Sequence, residues 1–494
     1  MTEWTKEQRY QRYEDIDQQT IESLTEQVKQ SEYRQTFHIQ PQIGLLNDPN
    51  GLIYFKGNYY VSHQWFPLGP VHGLKYWYTY QSKDLVDFEA IGPTIKPDTK
   101  DDSHGVYSGS AFEYHDHLYY MYTANHRDSD WNRISTQHIA KMAKDGSINK
   151  FPKAVISEPP FGYTQHFRDP KVHVQDGIYY AMIAAQNIKK QGRILQYRST
   201  DIVNWEFQGE IQTNLDDFGY MWECPDYFNL NGYDMLLFCP QGIDSEGERF
   251  KNIYQSGYIM GQYDINNLTM NHGDFHELDY GFDFYAPQTF LDENGQRILI
   301  GWMGLPEINY PSDTDGWAHC LTIPRVLTIE SGNLKQRPIK ALEKLRTNEE
   351  TALGYANKFT RQLHPYEGKQ FELIIDILEN EATEVYFEVR TSKTESTLIT
   401  YNKREQKLTL DRSESGPLPE PVEGTTRSTY LDTPLSKLQL FVDTSSVEIF
   451  CNDGERVMTT RIFTDENATG IKTSTESGQA YLKFTKYDLK GDTI

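Results

Sequence analysis

Asn47-Asp-Pro-Asn-Gly51 opens a pattern that returns four more times, as Tyr107-Ser-Gly-Ser-Ala111, Phe167-Arg-Asp-Pro-Lys171, Trp222-Glu-Cys-Pro-Asp226 and Tyr285-Ala-Pro-Gln-Thr289. The starts lie 60, 60, 55 and 63 residues apart. Each stretch leads into an aromatic or apolar strand, a tight polar turn and a second such strand. The turns are Lys56-Gly-Asn58, His115-Asp-His117, Gln175-Asp-Gly177, Asn231-Gly232 and Asp292-Glu-Asn-Gly295. Gly, Asn and Asp suit these places because hairpin turns need backbone with φ > 0. A hairpin returning five times at this period predicts five blades of a β-propeller, each with room for four strands. A second echo agrees: Ser82-Lys-Asp-Leu-Val-Asp-Phe88 and Ser199-Thr-Asp-Ile-Val-Asn-Trp205 lie 117 residues apart, close to two periods. A β-sandwich with regular hairpins is the alternative, but it requires no such period.

Outward from the repeats, the chain divides into four parts. Residues 1–34 predict a helical segment, with Tyr10, Tyr13, Ile21, Leu24 and Val28 mostly three, four or seven apart, packed outside a blade. The propeller is expected over 35–332. A charged connector follows over 333–354, where Ile339, Leu342 and Leu345 suggest a short helical turn. Residues 355–494 alternate as strands, including Phe371 to Leu378, Glu384 to Arg390 and Leu438 to Val442. Ser446 to Cys451, then Asn452-Asp-Gly454, then Val457 to Phe463 predicts a hairpin. The class is all-β: a five-bladed propeller followed by a C-terminal β-sandwich, with a short N-terminal helix. The sandwich carries no cluster of acids or histidines and is expected to support rather than react.

A chain of 494 residues has room for two or more cores. Its 34 Tyr and 24 Phe favour β structure and supply rings that can stack on sugars. A formal charge of −23 argues against nucleic acid and anionic membranes as partners. No apolar run is long enough to span a bilayer, and the first ten residues lack the apolar core of a secretion signal. Cys224, Cys239, Cys320 and Cys451 show no metal-ligand spacing. Disulfides, metals and cofactors are not expected, and the location expected is cytoplasmic.

Three of the five stretches carry a carboxylate: Asp48, Asp169 and Glu223. Taken singly, each could be a turn former or a surface acid. All three occupy the same phase of the repeat, so radial symmetry should gather them at one axis. Glycoside hydrolysis needs such a set: an ionised nucleophile and an acid that keeps its proton until the leaving oxygen takes it. A third carboxylate can fix sugar hydroxyls and hold the acid's pKa up by repulsion. Arg168 beside Asp169 would keep that one ionised. No metalloprotease, phosphate-loop or dinucleotide motif competes.

Leu45-Leu-Asn-Asp-Pro-Asn-Gly51, Phe167-Arg-Asp-Pro170 and Trp222-Glu-Cys-Pro225 resemble the three diagnostic motifs of glycoside hydrolase family 32. The resemblance runs through nearly the whole chain, including Ser108-Gly-Ser110, Gly301-Trp-Met303, Thr322-Ile-Pro-Arg325 and Val447-Glu-Ile-Phe-Cys-Asn-Asp-Gly454. It implies a five-bladed propeller with a β-sandwich, agreeing with the repeat count. It also implies a retaining β-fructofuranosidase with Asp48 as nucleophile, Glu223 as acid and base, and Asp169 as transition-state stabiliser. The substrate shell it implies is Leu45, Leu46, Asn47, Gln64, Trp77, Tyr107, Ser108 and Arg168. This chain departs from the family pattern at Leu45-Leu46, where secreted members often have Trp-Met, and after Trp77, where Tyr-Thr-Tyr replaces the usual Gly-His. Cys224 could tune its acidic neighbour or be an inert buried thiol.

The substrate expected is a small sugar, sucrose 6-phosphate or sucrose; the alternative is a fructosidase for short fructo-oligosaccharides. An inverting arabinan hydrolase would use similar blades without the same motifs, and a sugar-binding propeller would be expected to lack one of the acids. In so acidic a chain a phosphate needs local cations. The candidates are His72, Lys75, His126, Arg127 and Arg133, unless they are paired with Asp128 and Asp130. The sequence sets no oligomeric state.

Overall fold

The computed structural model describes residues 4–359, 366–422 and 424–491. Five sheets of four main strands follow one another through the first two thirds of the chain. Their first strands are Gly44–Phe55, Val106–Tyr114, Tyr163–Gln175, Met221–Leu230 and Tyr285–Leu291. Each packs against the first strand of the next blade, and that of blade five returns to blade one. The first strands therefore surround the axis. The two echoed heptads form the same turn in blades one and three. Asp84 Oδ1 accepts from the amides of Val86 and Asp87, and Asp201 Oδ1 from those of Val203 and Asn204. In each, a buried aliphatic residue takes positive φ, Leu85 at 62° and Ile202 at 61°.

All five first strands are bulged where the quoted motifs fall. The ladder slips between Leu46 and Pro49, between Val106 and Gly109, across Arg168–Lys171, between Glu223 and Asp226, and between Tyr285 and Gln288. Proline has no N–H for the ladder, so Pro49, Pro170, Pro225 and Pro287 each interrupt it. Blade two has Gly109 instead, where an added Cβ would sit 2.0 Å from the Met121 carbonyl oxygen. Asp169, Cys224 and Ala286, each just before a proline, hold φ of 62°, 51° and 47°. Bulges re-aim side chains, and here they turn the motif residues toward the axis.

Polar bonds run from blade to blade around that axis. Gly109 N donates to Asn50 Oδ1 at 2.9 Å, and Ser110 Oγ donates to the Pro170 carbonyl at 2.9 Å. Lys171 Nζ lies 3.0 Å from Asp226 and donates to the Thr289 carbonyl at 2.6 Å. At the seam, Trp317–Ala318 pairs in parallel with Gly44–Leu45 and so adds an edge strand to blade one.

Two boundaries differ from expectation. The N-terminal segment is not one helix: Lys6–Arg9, a 3-10 turn Tyr13–Asp15 and the helix Gln18–Lys29 follow in order. Asp17 starts the last of these by accepting from the Thr20 amide, a preferred N-cap arrangement. That helix lies against the seam, where Gln27 reaches the Thr314 carbonyl. The connector expected over 333–354 is also structured. Asn333–Pro338 is the outer strand of blade five, Lys340–Leu345 is a 3-10 turn that buries Leu342 and Leu345, and Arg346–Ala356 is already a strand of the next unit. Its charged residues occupy exposed edges rather than a loose linker.

The C-terminal unit pairs a six-stranded with a five-stranded sheet. Strand Ser396–Asn402 alternates buried and half-buried residues, as a one-sided sheet requires. A buried ionic network joins this unit to the propeller. Arg325 bonds Asp279 at 3.1 Å and Glu448 at 2.7 Å; His38 bonds Asp443 at 2.7 Å and Glu448 at 3.0 Å. Burial alone would lower the pKa of His38, but its hydrogen bonds to Asp443 and Glu448 outweigh this and raise it to about 9. Replacing Arg325 with Met leaves Asp279 buried without its cation and Glu448 with His38 alone, an expected loss of about 3–5 kcal/mol. Urea unfolding measures it, and a loss below about 1 kcal/mol would show that the network hardly contributes to stability.

Candidate active site

The bulges of blades one, three and four bring Asp48, Asp169 and Glu223 to the axis as neighbours. The Cys224 thiol lies 3.7 Å from Asp48 Oδ2 and 3.8 Å from Asp169 Oδ2. The Cys224 amide donates to Asp169 Oδ2 at 3.1 Å. Cys224 thus touches the two aspartates, and burial holds its thiol protonated, well above its ordinary pKa.

Asp48 has a fixed orientation. Ser108 Oγ donates to Oδ2 at 2.5 Å and Asn47 Nδ2 to Oδ1 at 3.1 Å. Asn47 also donates to Gln64, whose own amide donates to Ser108 at 3.0 Å. Lys75 Nζ donates to Asn47 Oδ1 at 2.7 Å, which fixes the amide so that its NH2 faces the carboxylate. Burial lowers the pKa of Lys75 to about 7, against the pull of Asp48. Lys75 therefore belongs beneath the nucleophile candidate and is not a solvent-facing phosphate ligand, because it is only 4% exposed.

Glu223 is held at both oxygens. Arg168 Nη2 and Nε donate to Oε1 at 2.6 and 3.0 Å, while Tyr285 Oη and Gln241 Nε2 donate to Oε2, each at 2.7 Å. Arg168 lies 4.0 Å from Asp169, so its main partner is Glu223 and not its sequence neighbour. Asp169 is accordingly not held ionised by that arginine. Burial raises its pKa well above the carboxylate range, against Arg168 and with help from the charges of Glu223 and Asp48. Asp48 is raised too, by burial first and by Glu223 second. Asp48 and Asp169 therefore both resist ionisation, each pushed up first by burial and then by its acidic neighbours.

Asn47, Gln64, Tyr107, Ser108 and Arg168 surround this centre. Leu45, Leu46 and Trp77 do not face it openly: they are 2%, 0% and 0% exposed. Leu45 and Leu46 precede the bulge and pair regularly with Phe66 and Trp65. Trp77 donates its indole N–H to the Tyr107 carbonyl and packs on Tyr120 and Tyr122, so it backs the wall and offers no ring to a sugar.

Sequence reasoning missed Tyr285, Gln241 and His166, whose Nδ1 lies 3.1 Å from Arg168 Nη1. Tyr285 stands first in the fifth repeat and, two residues before its proline, shares the phase of Glu223, so the same periodicity could have found it. Gln241 has no motif; it arrives through its pairing with Met221 across blade four.

Known proteins agree with this architecture. Residues 38–338 match the glycosyl hydrolases family 32 N-terminal domain, and residues 341–490 match the family's C-terminal domain. Over 494 residues and 100% of both chains, the sequence is 97% identical to a sucrose-6-phosphate hydrolase of Staphylococcus xylosus. The structure resembles that of sucrose-6-phosphate hydrolase from Lactobacillus gasseri, with a TM-score of 0.92 and 38% identity over 100% of each chain. It also resembles a Bombyx mori GH32 β-fructofuranosidase mutant in complex with sucrose, with a TM-score of 0.82 and 30% identity over 96% of this chain and 99% of that one. On the two family matches and these relatives, the chain belongs to glycosyl hydrolase family 32.

Proposed function

We propose that this protein is a retaining β-fructofuranosidase that releases fructose from sucrose 6-phosphate, and more slowly from sucrose, by double displacement. The observation that carries the reading is the convergence of Asp48, Asp169 and Glu223 on one buried, hydrogen-bonded centre, together with the name of the 97% identical relative. In the first step an Asp48 oxygen attacks the anomeric carbon while the bond to the leaving oxygen breaks. Glu223 gives its proton to that oxygen. In the second step Glu223 takes a proton from water, which attacks the same carbon and frees Asp48. Asp169 holds fructose hydroxyls and opposes the positive charge that develops on the ring. Arg168, Tyr285 and Gln241 orient the Glu223 carboxyl through both steps.

The four cysteines are buried and free of disulfides, which fits a reducing cytoplasm. No helix of the described residues is long and apolar enough to cross a membrane.

Two measurements test the reading together. NMR of the first-formed fructose should show the β-anomer, and α-fructose would overturn double displacement. A phosphate contact worth about 1.5–3 kcal/mol should favour sucrose 6-phosphate over sucrose by about tenfold to a hundredfold in kcat/KM. Equal use of both, with faster turnover of kestose, would make the fructo-oligosaccharide reading the better one.

A further inference from the structure

The second hairpin of blade two ends in a pair that costs the protein something. Arg127 and Arg133 are direct cross-strand partners at its tip, and like charges placed opposite one another repel. Neither is neutralised among the described residues. Arg127 Nη1 donates only to the Trp131 carbonyl at 3.2 Å, and its buried Nε has no partner. Arg133 makes a cation–π contact with Tyr107, 5.8 Å from the ring, and forms no ion pair. The nearby Asp128 is occupied with its own turn, accepting from the amides of Asp130 and Asn132 at 2.9 and 2.8 Å and from the Asn132 side chain at 3.1 Å. In a chain of net charge −23, two adjacent arginines left without a carboxylate call for an anion from elsewhere.

Their position says which anion. Tyr107 adjoins Ser108, which holds Asp48. Arg133 lies within electrostatic reach of Arg168 and Glu223, and Arg127 and Arg133 both act on His166, whose Nδ1 is 3.1 Å from Arg168. Glu223 is the group that meets the leaving oxygen, so the departing sugar lies on this side of the site. The N-terminal segment packs on the outside of blade one, as expected, and also braces the hairpin. Tyr10 packs on Trp131 at 5.4 Å and on His104 at 5.3 Å, and Lys6 Nζ stands 2.9 Å from the centre of the Trp131 ring.

We propose that Arg127 and Arg133 seat the phosphate monoester of the leaving sugar, one guanidinium on each side of the dianion. This assignment rests on the fructosidase reading above. Guanidinium forks suit phosphate oxygens, and a bound dianion turns the repulsion of the empty site into attraction.

The test compares sucrose 6-phosphate with sucrose on the wild type, on Arg127→Gln, on Arg133→Gln and on the double variant. Each single change should lower the ratio of the two kcat/KM values by about tenfold, and the double change by more. Melting temperatures of the unliganded variants should stay level or rise, because a repulsion is removed; an arginine serving the fold would lower them. Glucose 6-phosphate should raise the melting temperature of the wild type and not that of the double variant. The Arg127→Lys/Arg133→Lys variant keeps both charges without the forks and should give an intermediate ratio, which guards the test against misfolding. A ratio that survives in every variant overturns the seat while the fructosidase reading stands. A wild type that releases fructose from neither sugar overturns that reading and the seat with it.

Discussion

Asp48→Asn is expected to lower turnover of every fructoside by about four orders of magnitude or more, while the protein remains folded. The amide keeps the shape of the carboxyl but has no charge to donate to the anomeric carbon. Its stability should hold or improve, because Asp48 is buried and burial already resists its ionisation. Ser108 and Asn47 retain a partner in the new side chain. The measurement is single-turnover fructose release beside a thermal melt. If more than about a hundredth of the activity survives, the attacking group is another one, and Asp169, joined to Asp48 through Cys224, is the candidate.

Glu223→Gln should behave differently. Losing the proton donor costs about a hundredfold to ten-thousandfold on sucrose, but an aryl fructoside whose leaving oxygen needs no proton should lose far less in the first step. Arg168, deprived of its carboxylate, is left facing Asp169 across 4.0 Å and draws that group toward its ionised form. Pre-steady-state release of the aryl group, measured beside overall sucrose turnover, separates the two steps. Equal losses on both substrates would contradict the division of labour between Asp48 and Glu223.

Much of this was legible because the repeat carries its own geometry. Asp48-Pro49, Asp169-Pro170 and Cys224-Pro225 sit at equal phase, and each proline interrupts the ladder where the strand nears the axis. The number of blades follows from that phase, and the third acid, Glu223, stands one residue earlier, within the same bulged stretch. What the sequence hid was partnership across blades. Arg168 looks like the companion of Asp169 because they are adjacent in the chain, yet successive residues of a strand point apart, and its side chain bonds Glu223 one blade away. Lys75 looked like a loop cation but is buried beneath Asn47. Trp77 and Leu46 entered the expected substrate shell through the family resemblance, and their aromatic and apolar character placed them in the core instead. The N-terminal residues pack on blade one as their spacing suggested, but that spacing does not show the breaks between their three helical pieces.

The seam of the propeller has a consequence for how the protein is born. Asp48 leaves the ribosome early, but the strand that carries it obtains its second neighbour, on the side away from Asn58–Phe66, only with Trp317 and Ala318. Thr36, Phe37 and His38, just upstream, are clasped by Asp443, which is translated near the end of the message. Contacts between such distant parts of a chain form late. Closing the seam of the propeller therefore waits on residues translated long after Asp48, Asp169 and Glu223.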